Sequence, residues 1–446
     1  MKYFKGLSLS QFMRNVFILA RGTVFSQIII LATLPVLTRL YSPSDFGIYS
    51  VYVSMIGIVL VVVSLSYEMA IPLPSSDRTA SSIVSLSLCL CVIVSLLGGI
   101  GFYVLHHQLS NWMGEPDMQS YSILFTLSLL GAGGHQILNL WSIRKEYFAP
   151  LSRTKYMQSI SQVSSQLLLS LTSMGPLGLI IGELLGRVTG VWSQWRLWRR
   201  DVKREHMYTS WTEMKESAHR YRKFPLLSSW SNVLNSIGLF LPNIILAAMY
   251  GPYVAGLYTM SQRFLGAPII LISLSVNQVY LSEFAIHLNQ DTSKIYPLFK
   301  STVKKTFFIG ILVIGGIVVF APILFHYLFG STWEKTGDFI RILSVMYLTQ
   351  FIANSVGSTL GVAERQDLHL YREIFRILII LGSLLLARYT KQSAEMAIVF
   401  LSAASTLGYI LHLILSWVAV LRMKRSEKGV YEADAGAKAG SVVKMG

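Results

Sequence analysis

Long apolar runs alternate with short polar breaks along the whole chain. Twelve of them, at roughly 16–38, 46–70, 80–105, 119–142, 152–173, 176–198, 224–249, 253–281, 304–328, 337–361, 374–390 and 394–421, are long enough to cross a bilayer, since about 20 helical residues span the hydrocarbon core. Backbone amides in lipid must find their partners within their own segment, so each run predicts a helix. The eleventh is short, and Arg376 and Arg388 crowd its ends. The first is longer than a signal-peptide core and lacks a small-residue cleavage pattern, so it is expected to be retained. The longest polar break, Arg199 to Lys223, divides six runs from six. The expected organisation is a six-helix lobe over 1–198, a basic linker over 199–223, a second six-helix lobe over 224–422 and a disordered tail over 423–446. The tail reading rests on its Ala, Gly and scattered charge.

The two halves share a motif. Tyr41, Pro43, Gly47 and Tyr49 return as Tyr250, Pro252, Gly256 and Tyr258, all at an offset of 209 residues. A Leu-Pro pair precedes each copy, at Leu34-Pro35 and Leu241-Pro242. Six crossings per half put both halves into the membrane in the same orientation. They are then related by an axis along the membrane normal, a parallel pseudo-repeat of the kind transporters use.

Composition sharpens the class. The 446 residues are 53% apolar and only 13% charged, against about 25% charged in an ordinary soluble domain. Net charge is +16, which raises the question of nucleic acid; its distribution answers it. With both termini in the cytoplasm, the external segments hold only Arg39, Lys335, Arg388 and Lys391. Arg21, Arg187, Arg263 and Arg341 lie within runs, and the other Lys and Arg fall in or at the ends of cytoplasmic segments. That asymmetry is the positive-inside pattern and argues against nucleic-acid binding. Cys89 and Cys91 point to different faces of one helix and read as packing residues. The sequence shows neither metal-ligand spacing nor a Gly-rich phosphate loop with Lys-Ser/Thr, so no cofactor, metal or direct use of ATP is expected. The external loops are short; Glu115, Pro116 and Asp117 mark a turn in the largest.

The stretch Leu37-Thr38-Arg39-Leu40-Tyr41-Ser42-Pro43-Ser44-Asp45-Phe46-Gly47-Ile48-Tyr49 resembles the bend after the first helix of bacterial oligosaccharide flippases. Tyr67-Glu68-Met69-Ala70-Ile71-Pro72-Leu73-Pro74, with Asp77 and Ala80, resembles the end of their second helix. These flippases, which serve O-antigen and related lipopolysaccharide repeat units, belong to the multidrug/oligosaccharidyl-lipid/polysaccharide exporter superfamily. The resemblance is most specific over residues 14–90. It implies two six-helix lobes arranged in a V and movement of undecaprenyl-diphosphate-linked oligosaccharide across the bacterial inner membrane. It also implies membrane lipid as surroundings, and a polysaccharide polymerase and chain-length regulator as partners.

An anionic diphosphate and a polar glycan need cations and amides within the spans. Arg263, about ten residues into the eighth run with Gln262 beside it, is the leading phosphate anchor, because an arginine at that depth must face a cavity or a partner. A structural bond to neighbouring carbonyls is the alternative. Arg21, near the start of the first run, either captures phosphate or snorkels. Asn232 and Asn235 on the seventh run, Gln162 within the Gln158–Gln166 stripe of the fifth, and Gln350 and Asn354 on the tenth complete the substrate-binding set. Such amides bind sugar hydroxyls or bond helix to helix. No catalytic residue is expected.

Glu183 and Arg187 read as a neutralising i, i+4 pair, and Gly178, Gly182, Gly186 and Gly190 as a ridge for close helix contact. Arg341 with Asp338 reads as a surface pair, and Glu68 as a residue at headgroup level. His135, Gln136 and Asn139 are further polar candidates. Pro35, Pro242 and Pro268 predict bends. A cation-coupled multidrug exporter of the same superfamily is the rival reading, disfavoured by the lack of any acid between Val16 and Leu40. A membrane polysaccharide polymerase is the third, and no loop is large enough to hold its catalytic domain.

Overall fold

The computed structural model describes residues 9–115, 118–363 and 366–442. Among these residues fifteen α-helices follow one another: α1 Leu9–Leu40, α2 Pro43–Leu60, α3 Asp77–Val104, α4 His106–Met113, α5 Tyr121–Arg144, α6 Phe148–Ser170, α7 Pro176–Arg204, α8 Trp211–Arg220, α9 Ser229–Tyr250, α10 Pro252–Gln290, α11 Ile295–Leu324, α12 Lys335–Ser355, α13 Thr359–Val362, α14 Gln366–Tyr389 and α15 Ala394–Val442. The described residues contain no strand. A long helix stands at each of the twelve expected spans. Among the described residues, nine spans are long and apolar enough to cross a membrane. The helices below that mark, α6, α7 and α14, carry the polar side chains taken up below.

Contacts divide the chain into two compact units, Met1–Met260 with Phe325–Lys335, and Ser261–Leu324 with Thr336–Gly446. In the first unit α6 packs on α1 and α7, and α5 on α3 and α7. An aromatic cluster of Tyr52, Phe102 and Phe125 fills part of its core. In the second, α14 lies along α15, which also meets α11 and α13. Tyr280, Phe284, Phe299, Val356 and Val420 form a core there.

The repeated motif turns out to be two helix starts. Ser42 caps α2 through a reciprocal bond pair with Asp45, and Pro43 occupies the first turn, a combination worth about 1 kcal/mol. At the second copy Gly251 takes a positive φ of 84° before Pro252. Both copies lie in the first unit and meet face to face. A Cβ on Gly47 would collide with the Pro252 carbonyl, and one on Gly256 with the Pro43 carbonyl. The glycines recur because each lets the other copy's backbone come close. Next to this contact, Asn243 Nδ2 donates to Ser54 Oγ at 3.2 Å, and Trp333 Nε1 donates to the Thr38 carbonyl at 3.0 Å. Trp333 also stands edge-on to Phe46 at 5.2 Å.

Several segments expected to be loops are ordered helix. α4 occupies the largest external loop; Pro116 and Asp117 of the turn expected there lie outside the described residues. The basic linker contains the end of α7 and all of α8, which Ser210 and Glu213 cap reciprocally. α8 is held to the first unit by Arg78–Glu213 at 2.8 Å and by Tyr67 donating to the Ala218 carbonyl at 3.0 Å.

The ends of three helices are pinned together by charge. Arg144, the last residue of α5, donates two bonds to Asp77 at the start of α3, at 2.9 and 2.7 Å. Lys145 bridges Asp77 at 2.6 Å and Glu205, after α7, at 3.0 Å. Burial disfavours the Lys145 ammonium, but the hydrogen bonds and charges of Asp77 and Glu205 outweigh it and raise its pKa above the ordinary lysine value.

Candidate functional site

The glycine ridge of α7 and the glutamine stripe of α6 are two sides of one contact. A Cβ at Gly186 would lie 2.9 Å from Gln162 Cβ and 3.0 Å from the Gln158 carbonyl. Gly182 faces Gln162 and Gln166 in the same way, and Gly190 faces Gln158. Backbones brought this close let short polar side chains reach across. Gln166 donates to the Leu179 carbonyl at 3.1 Å, and its own carbonyl accepts from the buried Tyr41 hydroxyl at 2.7 Å.

Glu183 is the hub of this seam. Its Oε2 accepts from Tyr49 at 2.8 Å and from Gln162 Nε2 at 2.6 Å. Its Oε1 pairs with Arg187, at 2.8 Å to Nε and 2.7 Å to the terminal nitrogen. The i, i+4 pair is present, but it belongs to a four-residue network joining α2, α6 and α7. Tyr41 and Tyr49 of the repeated motif thus each reach into the α6–α7 pair. Further polar contacts lie within the same unit. Lys155 donates to Thr23 at 2.7 Å, Ser26 bonds Ser159, and His135 meets Gln194 at 3.0 Å.

Glu68, expected at the end of the second run, is buried within the first unit. It is 2% exposed, bonded by Ser64 and by Gln136 Nε2 at 2.9 Å. The chain leaves α2 through a short turn at Tyr67–Ala70, and that turn tucks the carboxylate inward.

The eight expected substrate-binding residues divide between the units. Arg21, Gln162, Asn232 and Asn235 belong to the first; Gln262, Arg263, Gln350 and Asn354 belong to the second. Arg21 is exposed on α1, and Asn232 and Asn235 are half-buried on α9. Gln262 and Arg263 are half-buried on α10, and Arg263 is engaged by its surroundings. On α12, Gln350 is half-buried and Asn354 exposed. Arg341 and Asp338 form the expected surface pair, at 3.3 Å.

The second unit contains a polar cluster that sequence reasoning missed. Glu373 on α14, 1% exposed, is paired with Arg372 and with Arg376 at 2.7 Å. Arg372 also reaches His412 Nδ1 on α15 at 2.6 Å. The eleventh run began at 374 on hydropathy, which left Arg372 and Glu373 outside it. The signal was the Arg-Glu-x-x-Arg spacing, which puts the carboxylate between two guanidiniums on one helix. Among the described residues no group of His, Cys, Asp and Glu could hold a metal ion.

Residues 36–338 match the model of a family described as Polysaccharide biosynthesis protein. The lipopolysaccharide biosynthesis protein WzxC of Escherichia coli (strain K12) is 21% identical over 191 residues, which are 43% of this chain and 38% of that relative's length. Among solved structures, the lipid II flippase MurJ in an inward closed conformation superposes with a TM-score of 0.69 at 15% identity, over 93% of this chain and 92% of that one. An inward-facing multidrug resistance MATE family transporter of the MOP superfamily gives a TM-score of 0.62 at 16% identity, over 95% and 97%. At these identities the likeness to solved structures shows the fold, that of the twelve-helix MOP transporters.

Proposed function

This chain belongs to the polysaccharide biosynthesis protein family, and from that premise we propose that it is a flippase for undecaprenyl-diphosphate-linked oligosaccharide repeat units, working by alternating access. At the coarser level it is a multi-pass membrane transporter of the polysaccharide flippase family, and not an enzyme. The proposal places it in the bacterial inner membrane with both termini in the cytoplasm, in line with its charge asymmetry. Two six-helix lobes over 1–198 and 224–422 would alternate, and the contact between the two bends would part when the outer side opens. A polysaccharide polymerase and a chain-length regulator would act on the delivered units.

The observation that carries the reading is Arg263, half-buried on α10 within Pro252–Leu288, a stretch long and apolar enough to cross a membrane. A guanidinium in such a span matches a phosphate with its planar fork. Arg21 supplies a second cation on α1, and the amides of Gln162, Asn232, Asn235, Gln262, Gln350 and Asn354 supply hydroxyl-binding groups of the kind a glycan needs. The test is Arg263→Ala beside Arg263→Lys, at matched protein levels, with surface polysaccharide and the leaflet of the carrier as readouts. Alanine is expected to cut surface polysaccharide at least about tenfold, the loss of one charged hydrogen bond, with lysine restoring part of it. Unchanged polysaccharide in the alanine variant removes Arg263 from the mechanism.

A cation-coupled multidrug exporter is the second reading. The observation favouring it is Glu68, a buried carboxylate whose hydrogen-bond partners, Ser64 and Gln136, are neutral. It predicts resistance to cationic dyes on expression, lost in Glu68→Gln; absence of resistance in the unaltered protein retires it.

A further inference from the structure

A groove of about 510 Å³ opens within the second unit, between α11, α12 and α15. Its walls are apolar: Phe299, Val303 and Phe307 from α11, and Ile410, Leu413 and Trp417 from α15. Lys300 and Lys304 rim it, and no acidic side chain lines it. Both lysines are exposed. They stand i, i+4 on one helix, a like-charge arrangement that an anion between them relieves. Tyr296 stands one turn before Lys300. Trp417 lies on α15 close to the basic end of its apolar stretch, the depth at which tryptophan and tyrosine meet lipid headgroups.

A second cavity, of about 670 Å³ between α10 and α11, offers a contrast. It carries Glu283 together with His287, Lys294 and Lys305, so its charge does not select an anion. The α11–α15 groove does, because cations crown an apolar slot.

We propose that this groove binds an anionic phospholipid of the membrane leaflet it opens onto, with an acyl chain along Phe299, Val303, Phe307 and Leu413 and the phosphate between Lys300 and Lys304. The aliphatic stems of the lysines cover the slot while their ammonium groups hold the phosphate at the interface. The site lies wholly within one unit and does not depend on what the transporter carries. Its expected consequence is a protein stabilised by anionic lipid, since a ligand that binds only the folded state raises its stability.

The test uses the full chain purified in detergent, with bound lipid counted by native mass spectrometry and thermal stability followed as lipid is added. Phosphatidylglycerol is the probe. Phosphatidylcholine controls for the acyl chain alone and pyrophosphate for free phosphate. Phosphatidylglycerol is expected to bind and stabilise; the two controls are not. In the double variant Lys300→Gln, Lys304→Gln, phosphatidylglycerol affinity should fall about 30-fold, corresponding to about 1 kcal/mol per surface lysine. Lys300→Arg with Lys304→Arg should keep it, which separates loss of binding from loss of folding. Leu413→Trp, filling the slot, should weaken phosphatidylglycerol without changing the charge. Three results overturn the proposal: equal stabilisation by phosphatidylcholine, equal stabilisation by pyrophosphate, or unchanged phosphatidylglycerol binding in the double glutamine variant.

Discussion

Gly256→Ala is the sharpest perturbation the structure offers. The new methyl would overlap the Pro43 carbonyl oxygen, 2.8 Å from its carbon and 3.0 Å from the Gly47 amide nitrogen. All three atoms are backbone, so no rotamer change relieves them. The starts of α2 and α10 must separate, at an overpacking cost of about 1–3 kcal/mol. Alanine's better helix propensity returns at most about 1 kcal/mol. The net expectation is a destabilisation of about 1–2 kcal/mol. Gly47→Ala meets the mirror obstacle, with Pro252 carbonyl carbon at 2.5 Å and Cα at 2.9 Å, and should cost a similar amount. The two share one contact, so the double variant should fall short of additivity by at least about 0.5 kcal/mol. Gly315→Ala and Gly316→Ala on α11 are the controls, since an added Cβ at either meets nothing within 4 Å. They should be neutral or slightly stabilising. The assay is the midpoint of unfolding in detergent, by heat or by graded denaturing detergent, for all five variants beside the parent. A Gly256→Ala midpoint equal to that of Gly315→Ala refutes the reciprocal packing.

Three further outcomes follow from the polar networks. Glu183→Ala leaves the Arg187 guanidinium, Tyr49 and Gln162 without their shared acceptor and should cost about 3 kcal/mol or more; adding Arg187→Met should recover part of it, and no recovery would mean the charge pairing is not what matters. Glu373→Gln removes the carboxylate charge that Arg372 and Arg376 share in the second unit and should lower the detergent melting temperature more than Asp338→Asn, which touches only an exposed pair; equal effects would contradict the burial of Glu373. Lys145 has a raised pKa, so its pairing with Asp77 and Glu205 contributes below the unfolded lysine value of about 10.4 and fades as pH climbs through the higher folded value. The melting-temperature gap between the parent and Lys145→Met should therefore hold from pH 7 to 9 and close above about pH 10.5; a gap independent of pH would show that only the aliphatic stem matters.

Much of the architecture was readable because hydropathy acts locally. A bilayer has one thickness and supplies no hydrogen bonds, so twelve apolar runs had to become twelve helices whatever they packed against. The glycine ridge of α7 announced a close contact for the same reason: four small residues at one spacing leave a flat strip on any helix. The capping box at Ser210 and Glu213 starts a helix inside the segment read as a linker. Local windows misjudged the positions where a charge is neutralised from elsewhere. Glu373 and Arg372 look cytoplasmic by hydropathy, and α14 falls short as a span. Yet Glu373 is buried against Arg376 one turn along the helix, and Arg372 reaches His412, 40 residues on. Nothing near Glu68 in the chain foretells Gln136, 68 residues away, which donates to it.

The repeated bend divides the two kinds of knowledge most cleanly. That four residues recur was visible in the chain by itself, as were the membrane class, the helix positions and the excess of positive charge on one side. That the two copies press backbone against backbone, with each glycine seated on the other copy's proline carbonyl, emerged only in three dimensions. The same holds for which helix receives the glutamine stripe, for Tyr49 and Gln162 meeting Glu183, and for His412 meeting Arg372. Helix formation in lipid is set by each segment's own atoms, whereas the partner of a side chain is set by which distant segment closes on it.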